Sequence, residues 1–204
     1  MEMTEPGDTG AYSGGLLRIA RTSPALYAVQ MHSDQAIFLR DAVYLPGLQN
    51  EHRITKSVIA AIPLDKSDYR PDEISKSALE LAWHITATEM RFMDAVVAGA
   101  FDFTPRPRPD SVKDSADLIA WYTDAFAQHV EPLAKLSGDQ LTKVVDFRGV
   151  VQQPAVLYLN FVLHHSVHHR GQLSMYLRPM GAKVPSIYGE SYDSAAARKA
   201  AQGA

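Results

Sequence analysis

Four stretches of this chain repeat apolar residues at helical spacing, and turn-forming residues separate them. From Leu48 to Ile62 the apolar positions Leu48, Ile54, Val58, Ile59 and Ile62 predict a first helix, closed by Pro63. A second is predicted over Lys76–Ala98, with Ser75 as N-cap and with Ala78, Ala82, Ile85, Phe92 and Val96 as a buried stripe that Leu81 and Met93 widen. A loop rich in proline then leads to a third helix opened by Asp110 or Ser111, with Ser111 and Asp114 in a capping-box-like pair. Its inward face is Ala116, Ile119, Tyr122, Phe126, Val130 and Leu133, and Pro132 is expected to fray its end. The fourth runs from Pro154 to a stop at Pro179 and Gly181, roughly 35 Å of helix at about 1.5 Å per residue. Gly171 inside it costs about 1 kcal/mol against alanine, which predicts a close approach of another helix or of a ligand there.

Between the third and fourth helices, LTKVVDFRGVVQQ reads as a short hairpin or an irregular crossover around Arg148-Gly149. Residues 1–45 form an expected N-terminal extension. Met1 to Gly15 is polar and glycine-rich, a disordered arm, and the mixed pattern from Leu16 to Tyr44 is broken by Pro24 and Pro46. That segment is expected to lie outside the bundle, against a subunit contact or over a site mouth. Residues 190–204 are small and polar, a flexible tail or a loosely held helix. With no convincing set of strands, the pattern predicts an all-α fold, an antiparallel four-helix bundle over residues 46–189.

Composition narrows the function more than the fold. A chain of 204 residues with 46% apolar content supports one domain with a real core. Its net charge of −3 offers no basic footprint for nucleic acid, and no Lys/Arg run suits an anionic membrane surface. No apolar stretch approaches the ~18 residues of a membrane span, and the acidic, glycine-rich N-terminus does not read as a signal peptide. The expectation is a cytoplasmic protein acting on a small molecule. There is no cysteine, so disulfides, thiolate zinc ligands and a cysteine nucleophile are excluded. Any metal must be held by histidine and carboxylate.

The chemistry concentrates in the fourth helix, where His164, His165, His168 and His169 fall within six residues. Residues four apart on a helix lie one above the other, so His165 with His169, or His164 with His168, can present two imidazoles to one point. The pairs are rotated by about 100° from each other, and geometry alone does not choose between them. His84 sits on the edge of the second helix's stripe, beside Leu81 and Thr88. His129, one turn from Phe126, competes with it as a third ligand. His52 reads as an exposed or capped residue, and Glu89 as an exposed helix charge that is also placed for proton transfer.

HSVHHRGQLSMYLRPMGAKVP, from His165 to Pro185, resembles the signature of the DinB/YfiT-like family of small four-helix metalloproteins, whose last helix carries a His-x-x-x-His pair running into His-Arg-Gly-Gln. LELAWHITATEMRFM matches the family's second-helix histidine pattern, and the resemblance covers roughly Leu48 to Tyr188. It implies His84, His165 and His169 as ligands of a divalent metal, zinc or nickel. Three imidazoles leave a coordination position open, where a bound water or thiol is acidified. Relatives include S-transferases and isomerases that use a low-molecular-weight thiol such as bacillithiol or mycothiol, alongside proteins regarded as metal-dependent hydrolases, and they often form dimers. The resemblance therefore implies thiol-dependent S-transfer to a small electrophile, or hydrolysis, in a homodimer. Arg170 is expected to pair with a substrate carboxylate or a surface acid, and Gln172, which also follows the ligand pair, is a candidate to touch a ligand or substrate. His164 stands where it can replace a ligand or donate to one, and His168 is a further candidate to touch a ligand or substrate. The rival reading is a non-catalytic helical dimer with a structural metal or none.

Overall fold

The computed structural model describes residues 31–203; residues 1–30, with the expected arm and Pro24, lie outside the described residues. The helical course begins earlier than the expected Leu48. Helix α1 (Ser33–Phe38), a π-helical segment (Leu39–Tyr44) and α2 (Leu45–Ala60) are continuous, crossing Pro46 without a break. Proline lacks the N–H that an α-helical bond needs, and the wider π turns just upstream take up that mismatch, so Pro46 does not end the helix. Ala36 is buried and Ser33 Oγ donates to Asp139 Oδ1 at 2.6 Å, which packs α1 on the short helix α5 (Gly138–Thr142).

Helix α3 (Ala78–Ala98) starts two residues after the expected point. Its N-cap is Ser77, whose Oγ accepts from Glu80 N while the Glu80 carboxylate accepts from Ser77 N. Ser75 instead donates its hydroxyl to Asp72 in the preceding turn. A capping box satisfies two end donors at once, so it wins over a lone serine. Gly99, in the left-handed region at φ 66°, ends the helix. Helix α4 (Ser115–Ala134) opens at Asp114, which accepts from Ala116 N and Asp117 N, rather than at Asp110 or Ser111. Leu118 and Ala125 join Tyr122, Phe126 and Leu133 on its buried face, while Ala116 is exposed. Pro132 sits within the last turn and the helix continues to Ala134.

The Arg148-Gly149 stretch is a hairpin, with β1 (Val144–Phe147) antiparallel to β2 (Val151–Pro154) and Val145 opposite Gln153. Arg148 and Gly149 both have positive φ, 57° and 67°, as the tight mirror-image turn requires, and Asp146 Oδ2 accepts from Gly149 N. Pro154 therefore ends a strand instead of opening the last helix. That helix, α6, spans Leu157–Leu177, and α7 (Tyr192–Ala201) follows in the tail, capped by Ser191.

Each of the four long helices touches two others, in the ring α2, α4, α3, α6. Phe92, late in α3, stacks on Phe161, early in α6, while His84, early in α3, meets His165 and His169 further along α6. These two helices are antiparallel. So are α2 and α4, since His52 packs on Phe126 while Ser115 Oγ donates to Ile62 O. The side chains of Ile59, Ile85, Met93, Leu118, Leu159 and Leu173 fill the space between them. Among the described residues no helix is long and apolar enough to cross a membrane.

Candidate metal centre

Helix α6 buries Tyr158, Leu159, Val162, Ser166, Arg170, Leu173 and Leu177, one stripe at helical spacing. His165 and His169 each precede a stripe residue by one position, a turn of about 100° that swings both rings to the edge facing α3. His164 and His168 precede it by two and are exposed. On α3, His84 likewise precedes a core residue, Ile85, and reaches the same edge from the other side. The choice that spacing leaves open is thus made by the register of the buried face.

The three Nε2 atoms converge. His84 Nε2 lies 3.1 Å from that of His165 and 3.2 Å from that of His169, and the three donor atoms lie within 4.8 Å of one another. Bonds of about 2.0–2.1 Å to a tetrahedral zinc put two ligating nitrogens about 3.3 Å apart, so the spacing fits one shared cation. Proton placement agrees. Gln172 Oε1 accepts from His169 Nδ1–H at 2.8 Å, which leaves the His169 Nε2 lone pair toward the other rings. Gln172 Nε2 in turn donates to His168 Nε2 at 3.2 Å. Burial, followed by the neighbouring His169, pulls His84 down to about 4 and His165 to about 3, so both are neutral at pH 7 and offer lone pairs without first losing a proton. His165 Nδ1 is buried with no hydrogen-bond partner among the described residues. Such a group costs about 1–3 kcal/mol, which coordination at Nε2 can offset.

Two clefts open beside the trio. One, of about 600 Å³, runs along α3 past His84, Thr88 and Arg91; the other, of about 420 Å³, is bounded by Leu81, His169, Gln172, Met175 and Tyr176. Lys76 borders both. The sequence reading missed Lys76 and Arg91, although Arg91 follows His84 by seven residues and so shares its face.

Other expected site residues lie elsewhere. Arg170 is 1% exposed and bonds Glu51 Oε2 at 2.6 Å and Thr55 Oγ1 at 3.2 Å, tying α6 to α2. Its partner is the half-buried Glu51 rather than a surface acid. Glu89, expected on the surface, is also 1% exposed; its Oε2 accepts from Tyr122 Oη at 2.9 Å and Ser166 Oγ at 3.1 Å. Burial raises its pKa to about 7 against the pull of those hydroxyls. His129 has both nitrogens engaged, Nδ1 on Ala125 O at 2.6 Å and Nε2 on Asp94 Oδ1 at 3.1 Å, and stands apart from the trio. His52 is buried rather than exposed, stacked on Phe126 with centroids 3.9 Å apart, and burial lowers its pKa to about 4. A β-carbon on Gly171 would meet nothing within 4 Å, so no helix approaches it closely among the described residues.

Comparisons with known proteins identify the family and the fold. The DinB family model matches residues 37–202, beginning inside the expected extension and ending inside the tail. The chain is 28% identical to YjoA of Bacillus subtilis (strain 168) over 133 residues, 64% of this chain and 84% of that protein. It is 32% identical to YrdA of the same organism over 117 residues, 53% of this chain and 64% of that protein. Two solved structures share the fold. The DinB-like YjoA structure from Bacillus subtilis aligns with a TM-score of 0.60 at 23% identity, covering 72% of this chain and 99% of that one. A DinB-like protein from Bacillus cereus ATCC 10987 also gives 0.60, at 22% identity, covering 71% and 95%. With the family match extending over most of its length and a three-histidine cluster able to hold a metal, this chain belongs to the DinB family.

Proposed function

We propose that this chain is a metal-dependent enzyme in which His84, His165 and His169 hold one divalent cation, zinc or nickel, and which carries out thiol-dependent S-transfer from a low-molecular-weight thiol to a small electrophile. The observation that carries the reading is the pair of clefts on either side of the trio, one bordered by His84 and the other by His169. A reaction between two small molecules needs a place for each beside one centre. Three imidazole ligands also leave coordination positions open, as catalytic rather than structural zinc sites do. A divalent metal held there would supply a Lewis acid that favours the thiolate form of a bound thiol.

The protein's own groups suit that role. Gln172 orients His169, and the buried stripe of α6 fixes both histidines of that helix against rotation. Glu80 is the one carboxylate bordering either cleft among the described residues, and its hydrogen bond from Ser77 N and its ion pair with Arg70 keep it ionised and engaged. That leaves little carboxylate base for hydrolysis, whereas a thiolate nucleophile needs none once formed. One observation favours hydrolysis as the second reading. His168 is exposed beside His169, ring centroids 4.8 Å apart, and becomes a proton acceptor once its Nε2 gives up the hydrogen bond from Gln172.

The test is a screen of the metal-loaded protein with low-molecular-weight thiols and electrophiles beside simple esters and amides. Conjugation that requires thiol and metal together is the expected result. Ester or amide cleavage without thiol would establish the second reading in its place.

A further inference from the structure

We infer that the cleft running along α3 from His84 is an oxyanion-docking groove, which takes a carboxylate or phosphoryl group carried on a substrate or co-substrate about 10 Å from the atom that meets the histidine trio. The inference rests on the proposed function for what happens at the trio, and on the cleft's own charge for the rest.

Lys76, Arg91, Arg106 and Arg108 border this cleft, against a single carboxylate, Glu80. Two of these charges are already neutralised locally. Glu80 pairs with Arg70 at 2.9 Å, and Arg106 with Asp94 at 2.6 Å and Asp102 at 3.7 Å. Lys76, Arg91 and Arg108 have no carboxylate within ion-pair distance among the described residues, in a chain whose net charge is −3. Positive groups gathered in a concave site of an acidic protein focus the local potential on anions.

The guanidinium groups are also held in position. Arg91 Nη2 donates to Thr104 O at 2.9 Å, and Arg108 Nη1 donates to Val112 O. Both acceptors belong to the segment between α3 and α4, stiffened by Pro105, Pro107 and Pro109. Each guanidinium spends one donor there and keeps others for a planar oxyanion, the geometry for which arginine is suited. Arg91 follows His84 by two helical turns, about 10 Å along the axis, which sets the span between reacting atom and anion. The second cleft shares Lys76 but carries no arginine, and Leu81, Met175 and Tyr176 make its surface mainly apolar. The two clefts thus differ in the partner each accepts.

The test uses the full chain loaded with cobalt(II) and three thiols of equal length, mercaptooctanoate, its phosphonate counterpart and mercaptooctanol, read by the thiolate-to-cobalt absorption band. Both anionic thiols should bind at least about tenfold more tightly than the alcohol at low salt, and the advantage should shrink as salt rises. The ratio between the two anions assigns carboxylate or phosphoryl. In Arg91→Gln/Arg108→Gln the advantage should fall to within about twofold with cobalt content unchanged. Lys76→Gln, whose side chain makes no hydrogen bond among the described residues, should lower it without touching the loop. Equal affinities for all three thiols, or an advantage that survives in both variants, overturns the groove. Absence of cobalt, or of a thiolate band with every thiol, would instead contradict the proposed function. The groove is then decided on metal-free protein, where inorganic pyrophosphate should shift the amide resonances of Lys76, Arg91 and Arg108 in the wild type and leave that of Lys76 unmoved in the double variant; no shift in the wild type overturns it.

Discussion

A single side chain shows how the site is supported. Gln172 ties the Nδ1 proton of His169 in place and so decides which nitrogen carries the lone pair. Gln172→Ala should weaken metal binding about 10- to 100-fold, measured by competition with a chelator, while the circular dichroism spectrum stays unchanged. Glu89 makes a different prediction. Its pKa is raised by burial from 4.5 to about 7, so the folded state holds a proton that the unfolded chain releases. The associated stability is complete below about 4.5 and is lost as pH rises through 7. Glu89→Gln should remove that loss, gaining on the wild type by up to roughly 3 kcal/mol between pH 4.5 and pH 8 in urea denaturation. Arg170 is held against Glu51 in the interior, and Arg170→Ala should cost about 3–5 kcal/mol because it strands a mostly buried carboxylate. Gln172 was already a candidate to touch a ligand, whereas the buried roles of Glu89 and Arg170 were not legible in the sequence. A charged residue at a core position looks like a surface one until its partner is known, and Glu51 stands 119 positions from Arg170. His84, His165 and His169 were legible because two share a helix at i and i+4, and because the surrounding motif resembles a known metalloprotein signature.

For the helices, periodicity found the segments and their buried faces, while local hydrogen bonding moved their ends. The second helix begins after Ser77 rather than Ser75 because only Ser77 has a glutamate three residues on. The π turns before Pro46 could not be foreseen, since proline more often ends a helix than forces a wider turn ahead of it. The expected close approach at Gly171 reversed as well. It is exposed and helical with no neighbour where a β-carbon would go, so Gly171→Ala should stabilise the fold by about 0.5–1 kcal/mol and leave metal content unaltered. Gly138 is the contrasting case. A β-carbon there would lie 2.6 Å from Ser33 O, so Gly138→Ala should destabilise by about 1–3 kcal/mol by separating α1 from α5. Thermal melts of the two variants should move in opposite directions.

Taken together, the bundle is a frame for one edge between two antiparallel helices. Apolar packing sets the rotation of α3 and α6, the rotation turns three imidazoles toward one point, and two clefts, one arginine-rich and one mainly apolar, open beside them. The all-α bundle followed from patterning, whereas the clefts depend on loops that pattern does not specify. The buried polar contacts of Glu89 and Arg170 hold α3, α4 and α6 to one another and to α2 without using the histidines, so metal and fold should be separable. Metal analysis of the purified chain beside His84→Ala, His165→Ala and His169→Ala, with circular dichroism on each, tests that directly. The account predicts one divalent ion per wild-type chain, at least tenfold weaker retention in each variant, and helical content preserved throughout. Full metal content in all three variants, or no divalent ion retained by wild-type protein supplied with zinc or nickel, would contradict it.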